Sequence, residues 1–482
     1  MARVINPIKF GTDGWRGVIA AEFTFDRVAM LAPLAAQVLV NNFGETVKRP
    51  QTVVVGYDRR FMAEDFARTA AEALQAAGFD VLLSESYAPT PAFSWAAYSL
   101  GVLGAIVLTA SHNPANYLGL KVKGAFGGSV APDITKQIEA LIPNPPTFSA
   151  DPGTITLFDP WGSYCDELRG KVDIANIRDA IVSGKLEVFA DVMHGAAATG
   201  LSRILGCDIT EINSERDPLF EGGAPEPLPK YLAKLFKAVK TATKNNPDAL
   251  RVGLVFDGDS DRIAATDRDG NFLSSQVLIP ILIKHLSQNR GFTGEIVKTV
   301  SGSDLIPKLA EKMGLDLSET PIGYKYIADR MLGSQVLIGG EESGGVGYGN
   351  HIPERDALLS ALYVLEAIAT SAQDLSELYQ AAQTEADFFS AYDRIDFPLA
   401  NMDVRAKLLA SLQTDLPATI AGKKVVNCLQ TDGYKFRLEN NDWLLIRFSG
   451  TEPVLRLYSE GGNMTQVRQI LNWAKDWAEA IA

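Results

Sequence analysis

The segment Asp-Gly-Asp-Ser-Asp-Arg at 257–262 sets three carboxylates at alternate positions behind an apolar run, Arg-Val-Gly-Leu-Val-Phe. In an extended chain, side chains two apart point the same way, so Asp257, Asp259 and Asp261 can converge on one point. Carboxylates held that close repel one another unless a cation sits among them, and hard oxygen ligands suit magnesium. A calcium EF-hand does not fit: its sixth loop position is Arg262 in place of Gly, and its twelfth is Arg268 in place of Glu. Arg262, beside the acids, offers a cation to a phosphoryl oxygen facing the metal. The plain alternative is a solvated acidic turn, since Asp-Gly is common in turns.

A second segment, Thr-Ala-Ser-His-Asn-Pro at 109–114, ends the apolar run Gly-Ala-Ile-Val-Leu-Thr-Ala at 104–110. Asn-Pro alone would make an ordinary turn with an incidental serine. A serine hydrolase elbow is not supported, because Thr109 and Asn113 occupy the positions where that motif needs glycine. Lys121 and Lys123 follow closely, which suits a site handling negative charge.

Two glycine-rich segments could bind a polar ligand. In Gly-Gly-Glu-Glu-Ser-Gly-Gly at 339–345, the glycines let backbone approach a ligand, while Glu341, Glu342 and Ser343 offer the acceptors and donors that vicinal hydroxyls need. In Arg-Phe-Ser-Gly-Thr-Glu-Pro at 447–453, the Arg447 fork, the Ser449 and Thr451 hydroxyls and the backbone around Gly450 make a phosphate cradle, to which Arg456 adds a second cation. It lacks the Gly-Lys-Ser/Thr of a P-loop. Arg16 in Phe-Gly-Thr-Asp-Gly-Trp-Arg-Gly (10–17) and Lys325 in Ile-Gly-Tyr-Lys-Tyr-Ile (322–327) stand beside glycines in the same way. For each of these segments a turn with solvated charges is the structural alternative.

The elements around these segments alternate. A β-branched run at 52–56, a helix-forming stretch at 63–78 closing on Gly78, and Asp-Val-Leu-Leu-Ser read as strand, helix, strand, which implies parallel strands with helices on both faces. The apolar run at 104–110 reads as a strand covered on both faces, those at 186–191 and 251–257 as strands each ending in an Asp, and functional groups collect at the carboxyl ends of strands in open α/β sheets. Strand signals recur at 295–300 and 335–339, with a helix at 356–370. The last hundred residues look mixed, with strands near 424–430, 443–448 and 454–458 and a helix at 464–480. The Pro- and Gly-rich stretch at 142–153 marks the first break, and the expected units are 1–152, 153–270, 271–387 and 388–482.

Length and composition set limits. A chain of 482 residues, 46% hydrophobic and 21% charged, can bury several cores. No apolar run reaches the roughly 18 residues needed to span a bilayer. A formal charge of -13 argues against nucleic acid or an anionic membrane as partner. An anionic ligand would then be held by a few placed cations. The start lacks an apolar signal core, and Cys165, Cys207 and Cys428 make no disulfide or metal spacing, so a reducing cytoplasm is expected.

In chain order, the glycine loop with Arg16, the Ser111 segment, the triple-acid segment, Gly-Tyr-Lys, Gly-Glu-Glu-Ser-Gly-Gly and the Arg447 segment closely resemble the α-D-phosphohexomutase superfamily over essentially the whole chain. The resemblance implies an α/β protein of four domains around a central cleft: three related mixed-sheet domains and a smaller α+β domain like the TATA-binding protein. It implies a phosphoserine at Ser111, whose phosphate completes the sphere of one Mg2+ held by Asp257, Asp259 and Asp261. Arg16, Lys121 and Arg262 match residues that contact the reacting phosphate or assist proton transfer. Glu341 and Ser343 match the sugar-hydroxyl loop, and Arg447, Ser449, Gly450 and Thr451 match the loop gripping the phosphate that does not react. His112, Gly323 and Arg456 are expected to line the substrate site. The Gly-aromatic-Lys pattern and Glu342 look more like phosphoglucomutases than the mannose or glucosamine branches. Lys325 is therefore the candidate for proton transfer, with Arg355 second. The implied reaction interconverts glucose 1-phosphate and glucose 6-phosphate, primed by glucose 1,6-bisphosphate, in a monomer or homodimer; a dual glucose/mannose mutase and a bisphosphate synthase are the alternatives.

Overall fold

The structure is a computed structural model that describes residues 7–11, 13–144, 149–449 and 453–481. Four sheets follow one another along the chain. In the first, Thr52–Tyr57 pairs in parallel with Asp80–Ser84 and with Gly104–Leu108. Every residue of Gly104–Leu108 is buried, as an apolar run with both faces covered requires. Tyr117–Gly124 then turns back antiparallel and pairs with Trp15–Val18.

Ile155–Phe158 also joins this first sheet, in parallel with Asp80–Ser84. This strand follows the expected boundary at 152/153 in sequence yet pairs with the sheet before it. The Pro-rich stretch leads into an edge strand of the same sheet, because residue pattern marks a break in regular structure without saying which sheet the next strand will join.

The second sheet runs Phe272–Leu273, Ile263–Thr266, Leu250–Phe256, Leu186–Asp191, Thr210–Ile212. The third runs Leu317–Thr320, Glu295–Thr299, Val336–Gly340, Val346–Tyr348. The fourth is antiparallel through Ala391–Pro398, Val454–Gly461, Trp443–Phe448, Tyr434–Leu438 and Lys423–Leu429. Its two helices, Met402–Thr414 and Met464–Ile481, pack Leu408, Leu412, Val467 and Leu471 onto one face.

One rule places the chemistry. Each of the four principal segments connects adjacent antiparallel strands: 109–116 joins Gly104–Leu108 to Tyr117–Gly124, 257–262 joins Leu250–Phe256 to Ile263–Thr266, 341–345 joins Val336–Gly340 to Val346–Tyr348, and 449–453 joins Trp443–Phe448 to Val454–Gly461.

A continuous apolar core runs through the first three units, including Val54, Trp161, Leu254, Leu282 and Leu358. Its centre is the helix Ala357–Ser371, buried along 357–368. The fourth unit has its own core and docks on the third through a small apolar cluster, Val300, Trp443, Leu445 and Tyr458, with polar ties around it. Lys435 Nζ donates to the Val300 carbonyl at 2.7 Å, and Arg437 pairs with Asp304. Among the described residues no helix is long and apolar enough to cross a membrane.

Candidate active site

Ser111 sits at the end of its buried strand with 1% exposure and a left-handed backbone, φ 51°. A non-glycine residue held there stores strain of roughly 1 kcal/mol or more, which the surroundings must hold in place. The support comes from Arg60, itself buried. Its guanidinium donates to the carbonyls of Ser111 at 2.5 Å, Asn113 at 2.6 Å and Pro114 at 3.0 Å. Asp58 accepts from Thr109 Oγ1 at 2.6 Å, and Thr109 Oγ1 accepts from Ser111 N at 2.9 Å. The Ser111 hydroxyl donates to Asp257 Oδ2 at 2.8 Å and lies 3.2 Å from His112 Nδ1. Gly258 permits this closeness: a Cβ there would lie 2.4 Å from the Ser111 carbonyl oxygen.

The three acids do converge, though not by strand alternation. The segment is a tight turn with Ser260 at φ 60°, and the turn rather than the pleat brings the carboxylates together. Ligand oxygens of Asp257, Asp259 and Asp261 lie within 4.8 Å of one another. Burial first, then repulsion from Asp261 and Asp259, pushes the Asp257 carboxyl well above its usual range. Lys121 Nζ reaches into the cluster, 2.6 Å from Asp13, 2.7 Å from Asp259 and 2.9 Å from Asp261. Burial alone would discharge Lys121, but these three carboxylates reverse that and raise its pKa. Arg355 adds a second cation, with Nη2 2.6 Å from Asp13 and 2.8 Å from Asp261. Thr90 Oγ1 donates to Asp259 Oδ2 at 2.6 Å.

The donor set fits a divalent cation. Asp259 Oδ1 and Asp261 Oδ1 are buried and accept no hydrogen bond among the described residues. Two orphaned carboxylate oxygens beside the Ser111 hydroxyl are costly unless a cation joins them.

Around this centre stand most of the expected partners. Arg16 Nη1 donates to Asn113 Oδ1 at 2.5 Å, in the serine loop. Burial, then Arg262, Arg16, Lys121 and Arg60, hold His112 well below its usual pKa, so its ring is neutral. Arg262 Nε is buried and makes no hydrogen bond among the described residues, 3.8 Å from Asp261 Oδ1. Glu341 Oε1 accepts from Gly323 N at 3.0 Å, which joins the Gly-Tyr-Lys segment to the sugar loop. Ser343 is half-buried in the same loop. Lys325 lies at a cavity of about 390 Å³ that also reaches Asp13, Gly14 and Ser129, its ammonium 4.9 Å from the Tyr326 ring. Arg355, the second candidate for proton transfer and expected among the substrate-binding residues, pairs with Asp13 and Asp261.

The fourth unit brings its own cations. Arg447 and Arg456 stand directly opposite on adjacent antiparallel strands. Like charges so placed destabilise a sheet unless an anion lies between them. Arg447 Nε contacts Asp432 at 3.1 Å, and Asp432 accepts from Ile322 N at 3.0 Å, one residue before Gly323. The Ser449 carbonyl accepts from Arg405 Nε at 2.9 Å. Gly450 and Thr451 lie outside the described residues.

Models of the phosphoglucomutase/phosphomannomutase family match the chain domain by domain: α/β/α domain I at 7–147, domain II at 162–270, domain III at 274–385 and the C-terminal domain at 399–472. The chain belongs to this family. A crystal structure from Thermus thermophilus, provisionally named a phosphomannomutase, is 34% identical over 99% of this chain and 100% of that one, with a TM-score of 0.84. A phosphoglucomutase/phosphomannomutase of Thermococcus kodakarensis is 29% identical, covering 96% of each chain. A phosphoglucosamine mutase of Ruminiclostridium cellulolyticum is 28% identical over 94% of each. The chain is thus a phosphohexomutase whose sugar the family alone does not specify.

Two features of this phosphohexomutase site escape motif reading. Arg60 and Asp58 hold the serine loop from outside every segment singled out above, and Asp13, inside the glycine-rich segment 10–17, bridges Lys121 and Arg355 without having been assigned a role. Asp-Arg-Arg at 58–60 directly follows a buried strand, so the carboxyl-end rule that singled out Ser111 could have found Arg60 as well.

Proposed function

We propose that the chain interconverts glucose 1-phosphate and glucose 6-phosphate through phosphoserine 111 and a glucose 1,6-bisphosphate intermediate. The observation that carries this is the Ser111 hydroxyl 2.8 Å from Asp257, beside two orphaned carboxylate oxygens and Lys121, Arg16 and Arg262. Once phosphorylated, Ser111 so placed gives its phosphoryl group to the free hydroxyl of a sugar monophosphate: the serine O–P bond breaks, a sugar O–P bond forms, and the proton leaving the sugar hydroxyl is returned to the freed serine oxygen. The bisphosphate turns over, and its other phosphate rephosphorylates Ser111. Asp257, Asp259 and Asp261 would hold Mg2+, which when bound offsets charge on the transferred group. Arg262 and Arg16 orient phosphoryl oxygens, Arg447 and Arg456 anchor the distal phosphate, and Lys325 is the candidate proton carrier.

The Gly-aromatic-Lys pattern, whose Tyr324 is buried 5.4 Å from the Arg355 guanidinium, resembles that of phosphoglucomutases and supports glucose. The names of the relatives favour a second reading in which mannose or glucosamine phosphates are also turned over. Purified enzyme given Mg2+, catalytic bisphosphate and each sugar 1-phosphate tests this, with peptide mass analysis for phosphate on Ser111. Expected is the highest kcat/KM on glucose 1-phosphate; phosphate release without isomer formation would overturn the mutase reading.

Glu341 supplies a pH signature. Burial raises its carboxyl to about 7, against the pull of Arg355. A folded-state value above the ordinary one means the acceptor form appears only as pH rises through 7. KM for the sugar phosphate is expected to fall several-fold between roughly pH 6 and pH 8, and Glu341→Gln to flatten that difference.

A further inference from the structure

Glu342, the second glutamate of the sugar loop, has both side-chain oxygens engaged. Its side chain is 5% exposed; Oε2 accepts from Ser301 Oγ at 2.9 Å, and Oε1 lies 3.5 Å from Arg394 Nη1. Its backbone carbonyl accepts from Ser275 Oγ at 2.8 Å. Arg394 belongs to Ala391–Pro398, the first strand of the fourth unit. Glu342 is therefore an ion pair across the boundary between the loop that meets sugar hydroxyls and the unit that carries the distal-phosphate arginines.

Strand register extends the connection. Arg394 Nη2 lies 3.0 Å from Asp396 Oδ2, Asp396 stands opposite Arg456, and Arg456 opposite Arg447. Directly opposed residues, and those two apart, share a face of a sheet. Arg394, Arg456 and Arg447 thus occupy one face, the face that carries Tyr458. Its buried hydroxyl makes no hydrogen bond among the described residues. Both oxygens of this buried carboxylate are held by partners from outside its own loop, Ser301 and Arg394. Moving the fourth unit relative to the sugar loop therefore means breaking the Glu342 pair.

We propose that Glu342 is a positioning residue: through Arg394 it sets the sugar loop in register with the phosphate-anchoring face, so that hydroxyl recognition at Glu341 and phosphate capture at Arg447 occur in one arrangement. This rests on the mutase reading above. Glu342 touches no sugar; it acts through the alignment of groups that do.

The test is a double-mutant cycle of Glu342→Gln, Arg394→Gln and the double variant, with Arg394→Lys as the conservative control. Readouts are kcat, KM and Tm, with glucose 1-phosphate and mannose 1-phosphate as substrates. Expected is a KM raised about tenfold in each single variant with little change in kcat, a double variant no worse than the worse single one, and partial recovery with lysine. The ratio of activities on the two sugars stays that of the wild type. Independent, multiplying losses would overturn the inference, as would a shift in sugar preference in Glu342→Gln, or losses that follow Tm alone. A wild-type protein inactive on both sugars overturns the glucose reading above and this inference with it; an active one with independent losses overturns only the inference.

Discussion

Ser111→Ala is expected to fold and to interconvert nothing: sugar-phosphate turnover falls by at least about 10⁴-fold. The reason is chemical. Without Oγ there is no oxygen to carry the phosphoryl group, and the neighbouring carboxylates of Asp257, Asp259 and Asp261 are poor substitutes in a cluster already rich in negative charge. The structural cost is small by comparison. One hydrogen bond, Oγ to Asp257, is lost, about 1 kcal/mol, and the left-handed backbone at 111 is already enforced by Arg60. Tm should shift by a few degrees at most. Stopped and continuous assays with added bisphosphate, together with peptide mass analysis of the loop, check both halves; turnover within tenfold of the wild type would remove Ser111 from the chemistry.

Lys121→Met should damage activity and stability together. Its ammonium is the common partner of Asp13, Asp259 and Asp261, and all four groups are nearly or wholly shielded from water. Removing one partner of a buried pair leaves uncompensated charge, at a cost of about 3–5 kcal/mol, and strips a cation from beside the transferred group, with turnover expected to fall about 10³-fold. The pH slope between 8 and 5 should also change, because the depressed Asp13 and Asp259 carboxyls of the wild type stay ionised throughout that range and contribute nothing to it. In the wild type, burial would raise the Asp13 and Asp259 carboxyls, but Lys121 and its neighbours hold them below the ordinary range. Depressed folded-state values contribute stability above the ordinary carboxylate pKa, and that stability is lost as pH falls. In the methionine variant those carboxyls lose their cation and rise, so the folded state binds more protons than the unfolded one. Tm should then increase as pH drops from 8 toward 5, and added Mg2+ should raise Tm more in the variant than in the wild type. Thermal melts across that range, with and without Mg2+, decide it; a variant as stable as the wild type and with the same slope would show that the acids do not depend on Lys121.

The elements were legible where residue pattern and environment agree. The run at 104–110 is apolar throughout because both faces of its strand are covered, and it forms a strand at Gly104–Leu108. Edge strands are harder. Ile155–Phe158 is only partly buried and carries no periodic signal strong enough to assign it to the first sheet. The acid segment was singled out by spacing, yet the reason for convergence differs: an extended pleat and a tight turn both bring Asp257, Asp259 and Asp261 together, and residue types do not distinguish them.

Arg355 and Glu342 mark a sharper limit. Both carry the right chemistry for a sugar phosphate, but their partners, Asp13 and Asp261 for one, Ser301 and Arg394 for the other, come from distant parts of the chain. What residue order determined by itself is the chemical inventory: a hydroxyl after a buried strand, three spaced acids, two glycine-rich loops and a C-terminal arginine cradle, each set by local backbone preference and side-chain type. What only the tertiary structure decided is which charge faces which, because a buried ion pair depends on distances between segments that no local pattern encodes.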